Sequence, residues 1–209
     1  GYIPVSIMTY YLLVPLNIRL RKKESFALSI VTGFYNLITP FRGGMAARAV
    51  YLKRKYNFPY TNFLATLTAS YVLTFFIASV IGLTAVTTIY FSTGIINYFI
   101  LTIFTGIFVI LGIVIIFSPK IPLSKYEFVN RFINVLNGWN LIKNDKKVIS
   151  IISISSIFQL LLGAFSIYLQ FKVFGIDANI STSLFLAAIS SLSLLISITP
   201  AGLGINEAI

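Results

Sequence analysis

Arg42 and Arg48 flank the start of one segment, with Pro40 just before it and Gly43-Gly44 between the arginines. Proline lacks an amide proton and clashes with a continuing helix, while glycine tolerates the backbone conformations that a break requires. A helix restarting at the two glycines presents free amide protons and a partial positive charge, a setting that suits phosphate or carboxylate. Two guanidinium groups beside it could fork onto a phosphate bidentately, which lysine cannot do. The competing reading is a shallow turn from which both arginines snorkel to lipid phosphates without specificity. The phrase recurs: Ile38-Thr39-Pro40-Phe41-Arg42-Gly43-Gly44 returns as Ile198-Thr199-Pro200-Ala201-Gly202-Leu203-Gly204. Each copy follows an apolar run and puts a proline four residues before a glycine.

Glu207 is the only acid near the second copy. In the first turn of a new helix a carboxylate is ordinary dipole compensation, about 0.3–1 kcal/mol at an exposed site. Alternatively Glu207 faces the same cavity as Arg42 and Arg48, pairing with one of them or touching a cationic headgroup. The serines and threonines from Ser181 to Thr199 could line that cavity in the same way, but small polar residues also let membrane helices pack closely.

The elements that must position these residues belong to a membrane protein. Apolar residues make up 57% of the 209 and charged residues 10%, with a mean hydropathy of +0.92. Soluble domains carry about 25% charged residues. There is no cysteine and no histidine, which excludes disulfides, thiolate chemistry, and zinc or haem sites built on those ligands. No cofactor is expected. The acids are Glu24, Glu127, Asp145, Asp177 and Glu207, so a hydrolase with paired carboxylates would have to draw on that short list. A net charge of +11 in so apolar a chain points to the cytoplasmic leaflet rather than to nucleic acid. Inside hydrocarbon, broken backbone survives only where protein or a watery cavity satisfies it. Paired breaks in corresponding halves of such a protein mark a substrate site.

Tyr2 to Ile18 is apolar and begins abruptly, like the remainder of a span. Its positive charges come last rather than first, unlike a cleavable signal peptide. The basic run Arg19-Leu20-Arg21-Lys22-Lys23 follows. Phe26 to Thr39 is apolar but, at about 14 residues, too short to cross a core that needs about 20. Met45 to Tyr56 is helical in composition and ends in Lys53-Arg54-Lys55. Thr61 to Phe91, Ile95 to Phe117 and Val148 to Phe174 read as spans, and Thr182 to Thr199 leads into the second break.

Charge bears on how residues 26–56 lie. If that stretch dips into the membrane and returns, the segments 19–23, 53–55 and 118–147 share one face with four, three and six Lys and Arg. The other face then keeps Lys172 alone. The positive-inside bias favours this arrangement over a single crossing. The first break is then the tip of a re-entrant hairpin, open to the cytoplasm. Within 118–147, Val129, Phe132, Ile133, Leu136 and Trp139 recur at helical spacing among Lys125, Arg131, Asn134 and Lys143. That pattern fits an amphipathic helix on the inner surface with Trp139 near the headgroups, or equally a linker helix packed on the membrane domain. Gly138 weakens either helix by about 1 kcal/mol.

Pro40-x-Arg42-x-Gly44 with Arg48 resembles the "P-x-R-x-G-E-x-x-R" signature of the lysylphosphatidylglycerol synthase transmembrane-domain family. Pro200-Ala201-Gly202-Leu203-Gly204-Ile205-Asn206-Glu207 is similar to that family's "P-x-G-L-G-x-x-E". The resemblance covers essentially the whole chain. Met45 stands where the family's first glutamate is expected, and Ala69-Ser70-Tyr71 lacks the charges expected in the following span. The resemblance implies a polytopic, flippase-like protein that moves or binds lipids with anionic headgroups. Relatives in polyprenyl-phosphate sugar pathways keep lipid-linked sugars in play. The aminoacyl-transferase activity of some relatives resides in a soluble domain that is not part of this sequence.

The expectation is therefore an all-α, polytopic transmembrane helix bundle with two broken or re-entrant helix motifs in two related halves. Residues 1–117 form the first half, 118–147 a basic cytoplasmic loop with an amphipathic helix, and 148–209 a second half that stops where relatives continue. The expected function is translocation or binding of anionic or polyprenyl-phosphate-linked lipids in the plasma membrane. The alternatives are a transferase acting on a lipid headgroup and an ion-coupled transporter, both needing Glu207. Arg42, Gly43, Gly44, Arg48 and Glu207 are the candidate headgroup site, with helix breaks at Pro40, Pro200, Gly202 and Gly204. Anionic membrane lipids are the expected partners, with no nucleic acid and a possible homo-oligomer.

Overall fold

Apolar runs punctuated by proline, glycine and basic clusters become helices in the computed structural model. It describes residues 2–39, 43–118, 120–126, 129–130, 133 and 137–193. Seven α-helices occur among them: α1 (Tyr2–Leu13), α2 (Lys22–Ile38), α3 (Gly43–Tyr56), α4 (Tyr60–Thr93), α5 (Tyr98–Phe117), α6 (Lys146–Val173) and α7 (Ile180–Ser193). Two 3₁₀ turns, Val14–Leu16 and Asn137–Leu141, complete the described regular structure. The chain is a helical membrane bundle. By length and composition, α4, α5 and α6 can each cross a membrane.

Local chemistry sets most boundaries. Pro15 lies in the 3₁₀ turn that ends α1, and Asn17 follows with a left-handed φ of 60°. α2 begins within the basic run, before the apolar stretch that marks it in the sequence, because Glu24 Oε2 accepts from the Arg21 amide at 3.4 Å. That contact satisfies a donor which a helix start leaves over. Gly94 closes α4 with φ 71°. Asn97 Oδ1 accepts from the Phe99 and Ile100 amides at 3.1 and 3.2 Å to open α5. Asp145 Oδ1 accepts from the Val148 amide at 3.0 Å to open α6.

The centre of the bundle is α4, packed by α5, α6, α7 and the Asn137–Leu141 turn. Its buried face sets the small Ala69, Ala78, Ser79 and Ala85 among larger residues such as Phe63, Leu73 and Phe75. Small side chains let membrane helices approach closely, and dispersion then holds them. Thr74 Oγ1 and Ser156 Oγ meet at 3.0 Å to bridge α4 and α6. α5 stands differently. Phe104 is its one buried residue, and that ring fills the notch left by Gly82 of α4. Its flanks, including Phe99, Ile110, Ile113 and Ile116, point outward.

The segment after α5 returns to the bundle. Trp139 is 3% exposed, packs with Leu12, Ala69, Val72 and Leu73, and donates Nε1 to Ser118 Oγ at 3.2 Å. The ring is therefore enclosed by protein. Gly138 explains the fit: a Cβ there would strike the Ala65 carbonyl of α4. The glycine that weakens a helix in the sequence is what lets this turn seat.

Candidate functional site

α2 and α3 run antiparallel as a hairpin, and two sets of contacts fix its register. Near the tip, a Cβ on Gly44 would collide with the Thr32 carbonyl, so the backbones touch where the glycine stands. At the base, Glu24 of α2 meets the last turn of α3. Its Oε1 accepts from Tyr51 Oη at 2.6 Å, Tyr56 Oη at 2.8 Å and Lys55 Nζ at 2.9 Å. The two ends of residues 22–56 therefore lie side by side.

The hairpin buries polar residues beside the apolar Leu28, Ala49 and Leu52, and turns an apolar flank outward. On α2 the buried positions include Ser25, Ser29 and Thr32, and on α3 they include Arg48. Phe26, Ile30, Val31, Phe34, Leu37 and Ile38 are exposed. The buried hydroxyls satisfy themselves along the helix, Ser29 on the Ser25 carbonyl at 2.9 Å and Thr32 on the Leu28 carbonyl at 2.6 Å. Ser25 instead donates to the Ser6 carbonyl of α1 at 2.7 Å, tying the hairpin to its neighbour. The exposed apolar flank suits hydrocarbon, where buried polar groups must find partners inside the protein.

Arg48 is the charged centre of that interior. It is 6% exposed, and its Nε donates to Thr32 Oγ1 at 3.1 Å. Burying a guanidinium is expensive unless it is well hydrogen-bonded, which is why intramembrane examples are usually functional. Gly43 opens α3 within the same region, close against the Thr39 side chain. Met45, where a glutamate is expected from the resemblance, packs against the apolar cluster of Leu13, Leu20 and Leu52. An apolar residue suits that surrounding.

Of the candidate residues, Gly43, Gly44 and Arg48 are thus brought to the tip half of one hairpin. Pro40, Arg42, Pro200, Gly202, Gly204 and Glu207 lie outside the described residues. So does any approach of the second break to the first. The basic clusters gather at one end of the molecule: Lys55 on Glu24, Lys22 lining a cleft with Ile151, and Lys147 over the Tyr11 ring at 5.8 Å. Lys172, on the last turn of α6, meets Asp177 instead.

The Glu24 cluster carries no sequence motif and is a product of the fold. Burial pushes the Glu24 carboxyl up, but hydrogen bonds from Tyr51, Lys55 and Tyr56 outweigh it and hold the group down at about 2. The hydrogen bond to Glu24 raises Lys55 above its ordinary range. In Tyr56, burial and the same carboxylate raise the phenol. The only hint in the sequence is Tyr51, Lys55 and Tyr56 at helical spacing, with a lone acid inside a basic run.

The chain belongs to the Lysylphosphatidylglycerol synthase TM region family. The family model matches residues 2–209. No curated protein and no solved structure matches the chain. Membership of the Lysylphosphatidylglycerol synthase TM region family gives the bundle a membrane location and a role related to membrane lipids.

Proposed function

We propose that the chain translocates lipids with anionic or polyprenyl-phosphate-linked headgroups across the cytoplasmic membrane. In this reading, α2 and α3 enter the membrane as a re-entrant hairpin from the basic, cytoplasmic end. Arg48, with Arg42 beside the Gly43-Gly44 helix start, receives the phosphate, and Glu207 faces the same cavity. The observation that carries this is Arg48, buried on Thr32 between two helices whose outer flank carries Phe26, Ile30, Phe34 and Leu37. An apolar exterior suits lipid, and a buried guanidinium suits an anion drawn to membrane depth.

The test is reconstitution of the full-length protein in liposomes containing fluorescent phosphatidylglycerol. Exchange between leaflets without headgroup modification is the expected result. Replacing Arg48 or Arg42 with Lys keeps the charge but loses the planar fork, and should slow exchange about tenfold, or ~1.4 kcal/mol. Lys53→Arg at the surface is the control. Normal exchange by both lysine variants would leave the arginines as interfacial anchors. Modified lipid would point to a transferase, and gradient-dependent uptake of a soluble solute to an ion-coupled transporter.

A further inference from the structure

We infer that a cleft between α1, α2 and α6 holds a resident anionic phospholipid from the leaflet at the basic end of the protein. The cleft is lined by Ser6, Ile7, Tyr10, Tyr11, Lys22 and Ile151, with Ser25 at its floor. Its volume of about 430 Å³ falls within the roughly 300–1,000 Å³ of small-molecule sites. It lies outside the hairpin interior and uses none of Arg42, Gly43, Gly44 or Arg48, so it stands apart from the translocation reading.

The lining specifies the occupant. Lys22 stands in the cleft wall, and Lys147 reaches over the Tyr11 ring at 5.8 Å from the next helix. Among the described residues neither lysine has a carboxylate partner. The nearby acids are engaged elsewhere, Glu24 by Tyr51, Lys55 and Tyr56 and Asp145 by the Val148 amide. Lys22 also sits in the first turn of α2, where a cation faces the positive end of the helix. An anion in the cleft relieves both placements. The remaining walls are aromatic and aliphatic: Tyr10 and Tyr11 pack edge to face at 5.1 Å between centroids, and Ile7 is exposed. Tyrosines with apolar bodies and polar tips belong at headgroup depth, and basic clefts between membrane helices on the cytoplasmic side take anionic headgroups. A free inorganic anion would leave Ile7, Ile151 and the rings facing water. A phospholipid puts its phosphate on the lysines and its glycerol and upper chains on those walls. Ser25 donating to the Ser6 carbonyl at 2.7 Å closes the floor, so the lipid braces α1 and α2 against α6.

The experiment uses the full-length protein in neutral detergent, with native mass spectrometry and thermal unfolding after adding phosphatidylglycerol, phosphatidylcholine or inorganic phosphate. The expected result is one retained phosphatidylglycerol and a raised Tm with that lipid alone. Lys22 and Lys147 are both exposed, so Lys22→Gln with Lys147→Gln should fold. The pair should lower phosphatidylglycerol retention about thirtyfold, as two lysines near a bilayer surface would. Lys53→Gln should leave retention unchanged. Equal retention of phosphatidylcholine, an equal Tm rise with inorganic phosphate, or undiminished phosphatidylglycerol on the double variant would each overturn the proposal. Arg48→Lys should keep the resident lipid whatever it does to leaflet exchange, which separates failure here from failure of the translocation reading.

Discussion

Arg48 Nε rests 3.1 Å from Thr32 Oγ1, and that hydroxyl in turn donates to the Leu28 carbonyl at 2.6 Å. A buried guanidinium is thus aimed by one threonine across the hairpin. Thr32→Val keeps the shape and removes the acceptor, leaving a buried donor short of a partner. The variant should lose about 1–3 kcal/mol of stability, read as a lower Tm in detergent. Thr32→Ser, which keeps the hydroxyl, should restore most of it.

Gly44 and Gly106 make a matched pair for testing the hairpin's close approach. A Cβ at Gly44 meets the Thr32 carbonyl, whereas one at Gly106 meets nothing within 4 Å. Gly44→Ala should force the helices apart and cost about 1–3 kcal/mol. Gly106→Ala, in the interior of α5, should be neutral or stabilising by up to about 1 kcal/mol. Thermal unfolding of the two variants under one condition decides it.

The base of the hairpin should respond to acid. The Glu24 carboxyl is lowered from 4.5 to about 2, so the folded state favours its charged form. Its contribution is fully present above the unfolded value and is lost as pH falls through about 2. Lys55 is raised, so its contribution is present below the unfolded value of 10.5 and is lost as pH rises through its higher folded value. Glu24→Gln should lower Tm at neutral pH and flatten the acid limb of the profile between about 4.5 and 2. An unchanged acid limb in that variant would show that the cluster does not hold the hairpin.

Helix class, the three long spans and the break before Gly43 were legible because composition and proline–glycine punctuation are local signals. The segments 19–23 and 53–55 meet at Glu24, which accepts from the Arg21 amide and from Lys55 Nζ. Three features were not legible. α2 reaches back into Lys22 and Lys23 because Glu24 bonds the Arg21 amide, a contact that hydropathy does not register. The Glu24 cluster joins residues up to 32 positions apart, and no short window contains it. The apolar spacing around Trp139 fits a bilayer surface and a protein surface equally. What decides it is Gly138 against Ala65, a tertiary fit. At the candidate site, the helix start carrying Gly43, Gly44 and Arg48 was readable, while the contact of Thr32 with Arg48 depends on a helix register that only the fold supplies.

Trp139 is the single tryptophan, which makes its position directly measurable. Buried against α4 with its Nε1 on Ser118, it should emit at short wavelength and resist iodide quenching in liposomes. Gly138→Ala should push the turn off the Ala65 carbonyl, shifting emission to the red and raising quenching. Strong quenching of the unaltered protein would place the ring at the headgroups instead.

α5 meets α4 along one face, with Phe104 seated at Gly82 and Phe108 stacked on Phe76, and turns Phe99, Ile110, Ile113 and Ile116 outward. An apolar face turned outward suits acyl chains, while the face toward α4 is held by protein. Exchange of a bilayer for a short-chain detergent replaces those neighbours with a looser shell, while the interior of the bundle keeps its own. Loosening should begin at this helix, making amphiphile chain length a determinant of the fold at its rim and leaving the α4–α6–α7 centre indifferent to it.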